Sequence, residues 1–116
     1  MTPGNDELAF YVTLQIKPEK VDEWLQAVND IIEQMAKETA FICCHLQRDL
    51  FNPCTFTLFE KWREASMETF LANQMQPYRY AYEQKLPEYL QAPRQATILT
   101  PLMQWQAAEC TPEQSA

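Results

Sequence analysis

Between Phe41 and Trp62 the chain carries two strand patterns in succession, FICCHLQRD and FTLFEKW, joined by a turn at Asn52-Pro53. So tight a pair restricts the fold to one containing a hairpin, and it also singles out one residue. Side chains on a strand alternate between faces, so Glu60 points the same way as Phe56, Leu58 and Trp62. A carboxylate on an apolar face is costly to bury unless it is paired or protonated. Glu60 is therefore the first candidate for a functional group.

The flanking segments complete the pattern. Leu8, Phe10, Val12, Leu14 and Ile16 alternate with Ala9, Tyr11, Thr13 and Gln15, which predicts a first strand. Pro18 then suits a first helical turn, with Glu19, Asp22 and Glu23 near the positive helix start. Val21, Trp24, Leu25, Val28, Ile31, Ile32 and Met35 recur at three- and four-residue steps, predicting an amphipathic helix over 18–37. In the first hairpin strand, Ile42, Cys44 and Leu46 are assigned to the core face, with Phe41, Cys43 and His45 opposite; a bulge would reverse this. A short helix is expected over 64–72 with Met67, Phe70 and Leu71 inward. A second opens near Pro77, with Pro87 kinking or shortening it, and Thr97–Met103 forms the last strand.

The order β-α-β-β-α-β is that of an α+β, ferredoxin-like fold: a four-stranded antiparallel sheet with helices on one face. The domain is placed at 8–104, between tails at 1–7 and 105–116. The sheet's other face offers Tyr11, Phe41, Cys43 and Phe59, with Leu99 or Met103, and predicts a two-fold homodimer through that face.

Composition narrows the function classes. Nine basic against 16 acidic residues give a net charge of −7, and no basic stripe exists, which argues against nucleic acid. No apolar run approaches the ~20 residues of a membrane span, and no basic, apolar leader precedes the domain, so the chain is read as cytoplasmic. Gly4 is the only glycine, whereas phosphate-cradling and dinucleotide-binding turns need several. Cys43, Cys44, Cys54 and Cys110 have no ligand spacing and are read as free buried thiols, and one histidine cannot complete a metal set. No metal or cofactor is expected. His45, the sole imidazole, is expected to face the subunit interface.

Glu38, the Cys43 region, Asp49, Pro53, Phe56, the Glu60-Lys61-Trp62 triplet and the Pro77-Tyr78 helix start together resemble the antibiotic biosynthesis monooxygenase domain, over about residues 8–103. The resemblance implies a dimeric α+β barrel with a pocket between each sheet and its helices. Members oxidise phenols, quinols or polycyclic aromatics with molecular oxygen and neither metal nor flavin; others degrade haem, and one branch isomerises a phosphorylated sugar. Many carry His-x4-His across the two helices, where this chain has Asn73 and Tyr78. Haem degradation needs an axial histidine on a helix, and these positions supply none.

Two kinds of reading follow. In the first the protein is a cofactor-independent monooxygenase acting on a small aromatic substrate and molecular oxygen. Glu60 is the base if burial raises its pKa, Asn73 and Tyr78 hydrogen-bond the anion, and Trp62, Tyr82 and Phe70 form the substrate wall. Each also has a plain structural role open to it: Glu60 as a hydrogen-bonded structural carboxylate, the rest as packing. In the second the protein is a ligand-binding or regulatory dimer without catalysis, or an isomerase. The isomerase would need a cationic site, and Arg48, Arg63, Arg79 and Arg94 show no convergent pair in the sequence.

Overall fold

Strand β1 (Leu8–Gln15) follows from the alternation: Leu8, Phe10, Val12 and Leu14 are buried on one face. A single 3-10 turn at Pro18–Lys20 leads into helix α1 (Val21–Met35), whose first turn carries Asp22 and Glu23. Strands β2 (Phe41–Arg48) and β3 (Thr55–Trp62) form the hairpin. Helices α2 (Met67–Asn73) and α3 (Pro77–Tyr89) precede strand β4 (Gln95–Leu99). This computed structural model describes residues 6–73 and 76–108. The expectations for residues 1–5 and 109–116, Cys110 included, lie outside them.

The four strands run in the order β2-β3-β1-β4 with antiparallel pairing throughout. That is the ferredoxin-like α+β arrangement. α1 lays Trp24, Val28, Ile31 and Met35 on the sheet, and the core continues through Phe56, Leu58, Trp62, Phe70, Leu86 and Tyr89. α1 and α3 pack side by side on this face. The hairpin turn is built by side chains. The Asp49 carboxylate accepts the amides of Phe51 and Asn52 at 2.8 and 2.9 Å, and Asn52 Oδ1 accepts that of Cys54 at 3.3 Å. Among the described residues none has a positive φ.

Several boundaries and one face differ from expectation. A β-bulge between Phe41 and Cys43 makes Phe41 pair with Trp62 and Cys43 with Lys61. The extra residue turns Phe41 inward, edge-on to Trp62 at 5.2 Å, and sends Ile42 to the outer face. From Cys43 onward the assignment holds, with Cys44 opposite Glu60 and His45 opposite Phe59. α1 ends at Met35 rather than 37, and α2 starts at Met67 rather than 64. Leu71, expected inward, is 52% exposed, because a seven-residue helix buries only Phe70. α3 continues two residues past Pro87, which falls in its last turn and costs only one hydrogen bond there. The last strand is 95–99 rather than 97–103; Gln95 and Ala96 join it by pairing with Thr13 and Val12, and residues 101–107 form neither helix nor strand.

Candidate active site

Alternation along β3 delivers Glu60 and Trp62 to the helical side of the sheet. Trp62 is fully buried, and its indole N–H donates to Glu60 Oε1 at 3.0 Å. One carboxylate oxygen is thus oriented by a rigid neighbour two residues away. Phe70 meets the Trp62 ring edge-on at 5.4 Å and the Phe10 ring at 4.7 Å.

Glu60 lines a cavity of about 290 Å³ between the sheet and the helices. Its floor is hydrocarbon from β1 and β3 (Phe10, Val12, Leu14, Leu58), and α1 closes one side with Val28 and Ile31. Phe70 and Leu71 contribute from α2, Arg79, Tyr82 and Glu83 from α3, and Arg94 and Ala96 from the approach to β4 and its start. Leu71's exposure places an apolar side chain at the cavity edge. Ile98, 51% exposed, sits opposite Phe10 on the same sheet face.

The polar groups each have a definite setting. Tyr82 Oη accepts the Trp24 indole N–H at 3.0 Å. Burial raises the Tyr82 phenol to about 12, despite the lowering effect of that hydrogen bond. Tyr82 is therefore a neutral phenol near pH 7 and keeps an O–H to donate. Arg94 Nη1 and Nη2 donate to both Glu83 oxygens at 2.9 and 2.8 Å, which raises the Arg94 pKa; Tyr82 and Glu60 add to the effect. The Arg79 guanidinium lies 5.9 Å from the Trp62 ring centre and 5.8 Å from that of Phe70.

The sequence-predicted residues therefore divide. Glu60, Phe70 and Tyr82 come together at this cavity, whereas Trp62, expected in the substrate wall, is wholly buried behind Glu60 and Phe70 and does not line it. Asn73 and Tyr78 do not: they line a second, polar hollow with Glu38, Arg63 and Glu64. There the Asn73 amide donates to both oxygens of Glu64, which is only 6% exposed, and the Tyr78 hydroxyl donates to Glu38. Burial and then the Glu38 bond raise the Tyr78 pKa, so it too is a neutral phenol. Two residues that sequence reasoning dismissed, Arg79 and Arg94, converge on the first cavity. They belong to segments brought together only by tertiary folding, and no local pattern announces them.

His45 is exposed on the outer face, 6.2 Å from Phe59 ring to ring, and does not line the Glu60 cavity. Cys43, Cys44 and Cys54 are free and half-buried rather than fully buried. Burial, then Glu60, then Cys43 raise the Cys44 thiol to about 12. Only the thiolate is nucleophilic. Timed alkylation at pH 8 with peptide mapping is expected to modify Cys44 at least about tenfold more slowly in the native than in the unfolded protein; equal rates would mean an accessible thiolate. Among the described residues no group of three His, Cys, Asp or Glu side chains is placed to hold a metal ion, and no helix is long and apolar enough to cross a membrane.

Comparison with known structures gives the same architecture. A conserved protein from Methanosarcina mazei superposes with a TM-score of 0.75 at 23% identity, over 84% of this chain and 94% of that one. Rv0793 from Mycobacterium tuberculosis gives 0.75 at 19%, over 86% and 99%. A structure described as an antibiotic biosynthesis monooxygenase gives 0.72 at 16%, over 83% and 99%. At such identities the likeness concerns the fold. No curated protein matches the chain. The family model for antibiotic biosynthesis monooxygenase matches residues 8–76, more than half of the sequence and every element from β1 through α2. With the sheet order, the Glu60–Trp62 pair and the half-open cavity beside it, that match places the chain in the antibiotic biosynthesis monooxygenase family.

Proposed function

We propose that the protein is a cofactor-independent monooxygenase acting on a small phenol or hydroquinone, with Glu60 as proton acceptor. The observation that carries this reading is a carboxylate held by an indole N–H at the edge of a hydrocarbon-floored cavity. Glu60 takes the phenolic proton. The Arg79 guanidinium, over the aromatic rings, and the Tyr82 O–H favour the resulting anion. The phenolate passes one electron to molecular oxygen, and the two radicals combine at a ring carbon to form the carbon–oxygen bond. Glu60 returns its proton to the distal oxygen, and loss of water leaves the quinone. One dioxygen is consumed per substrate, and the substrate supplies both electrons that reduce the second oxygen atom to water.

In this reading Asn73 and Tyr78 act at a distance. By engaging Glu64 and Glu38 they hold the ends of α2 and α3, and so the positions of Phe70 and Arg79. The isomerase reading gains less support, since the cavity floor is hydrocarbon. Oxygen uptake across a panel of hydroquinones, with chelator-treated protein, tests the proposal. Saturable uptake with at least one member is expected. No uptake by any, with a saturable thermal shift, would make the cavity a binding site without chemistry.

The working unit is proposed to be a homodimer through the outer sheet face, where Tyr11, Cys43, His45, Phe59 and Leu99 gather. Tyr11 and Leu99 are exposed there. Phe59→Glu would put two carboxylates across the two-fold axis, and sedimentation equilibrium is expected to show a monomer. A dimer of unchanged affinity would move the interface elsewhere.

A further inference from the structure

The cavity's size and its rim restrict the ligand beyond "small aromatic". An apolar cavity of about 150 Å³ suffices for benzene. The 290 Å³ here holds one or two rings, and since the cavity is half-open a third fused ring would project into water.

The rim carries a second constraint. Arg94 enters just before β4 and Glu83 stands on α3, and both line the cavity. Their side chains are 36% and 39% exposed, and the guanidinium fork holds the carboxylate through two bonds of 2.9 and 2.8 Å. The fork's planar donors match a carboxylate in both shape and charge. Glu83 thus acts as an internal stand-in, showing a carboxylate seated on a guanidinium at the cavity wall. With both side chains more than a third exposed, Glu83 regains its hydration on leaving. An incoming carboxylate attached to a ring that fills the cavity can therefore replace Glu83, which turns out into water. Neither α3 nor β4 need move.

We infer that the cavity takes a one- or two-ring hydroxyarene bearing a carboxylate, which binds the Arg94 guanidinium in place of Glu83. This rests on reading the cavity as an aromatic site, but not on the oxygen chemistry. The test is anaerobic calorimetry with three probes: 2-naphthol, 6-hydroxy-2-naphthoate and a three-ring hydroxyanthracene carboxylate. The hydroxynaphthoate is expected to bind about two- to fivefold more tightly than 2-naphthol, since its contact with Arg94 is partly offset by the release of Glu83. The three-ring acid is expected to bind no more tightly than the two-ring acid, since its third ring finds no wall to bury against.

Arg94→Gln is expected to bring the carboxylate preference close to unity, Arg94→Lys to restore part of it, and Glu83→Gln to increase it. Thermal unfolding of each variant checks that the fold is retained. Equal affinity for 2-naphthol and the hydroxynaphthoate in the unaltered protein would overturn the inference, as would a preference that survives in Arg94→Gln. The two proposals fail separately. Carboxylate preference without oxygen uptake would remove the monooxygenase and leave this inference standing. Uptake with no preference for carboxylated hydroquinones would do the opposite.

Discussion

Glu60→Gln is expected to lower kcat on the best hydroquinone by about 10²–10⁴-fold, the usual contribution of a positioned general base. The amide retains an oxygen for the Trp62 N–H, so the side chain stays where the 3.0 Å bond now holds it. What it loses is the ability to take a proton. Because size and hydrogen-bond acceptor are preserved, the melting temperature is expected to change little and substrate affinity less than kcat. Steady-state oxygen uptake and a thermal melt on the same preparation separate these effects. Unchanged turnover would remove Glu60 from the chemistry, and the Arg79 and Tyr82 assignments would lose the anion they are meant to stabilise. Loss of both turnover and fold would recast Glu60 as a structural carboxylate of β3.

The second large effect is on stability. Trp24 is fully buried at the start of α1. It stacks at a tilt on Phe56 at 4.8 Å and donates its indole N–H to Tyr82 on α3. One side chain therefore joins α1, β3 and α3. Trp24→Ala is expected to cost about 3–5 kcal/mol, a large share of the roughly 5–15 kcal/mol that holds a domain folded. At about 4 °C per kcal/mol for a domain of this size, the melting temperature falls by about 12–20 °C. Trp24→Phe keeps most of the ring contact and loses only the hydrogen bond, so its loss is expected nearer 1–2 kcal/mol. A loss below about 1 kcal/mol in the alanine variant would mean that the helices are held on the sheet by other contacts. The link also touches the site, since Tyr82 is a cavity wall whose hydroxyl is oriented by Trp24.

Much of this architecture is written locally. The alternation of β1 and the stripe of α1 name their buried residues almost one by one, because each element packs a single face against one core. The direction of Glu60 follows from the same rule, as Trp62 two residues on must be buried. The bulge at Ile42 has no such signal: an extra residue changes which side chains face inward, and both Phe41 and Ile42 are apolar enough for either side. The start of β4 was hidden for another reason. Gln95 and Ala96 are weak strand formers, and the edge of β1 recruits them. In the site, Glu60, Phe70 and Tyr82 were legible because strand and helix periodicity set their directions; the same alternation turns Trp62 inward but does not show that Glu60 and Phe70 cover it. Asn73 and Tyr78 were singled out by position in a family pattern, which says nothing of which hollow a helix end faces. Arg79 and Arg94 come from α3 and from the approach to β4, and only the closed fold makes them neighbours.

The backbone's freedom from left-handed residues across the described segments has a practical consequence. Where glycines carry turns, a systematic substitution scan confounds two losses, that of a side chain and that of a permitted torsion. Here the hairpin corner is shaped by Asp49 and Asn52 acting through their side chains. Saturation mutagenesis of this protein would therefore report mainly on contacts, and a position that rejects every replacement would mark a group whose own atoms are needed.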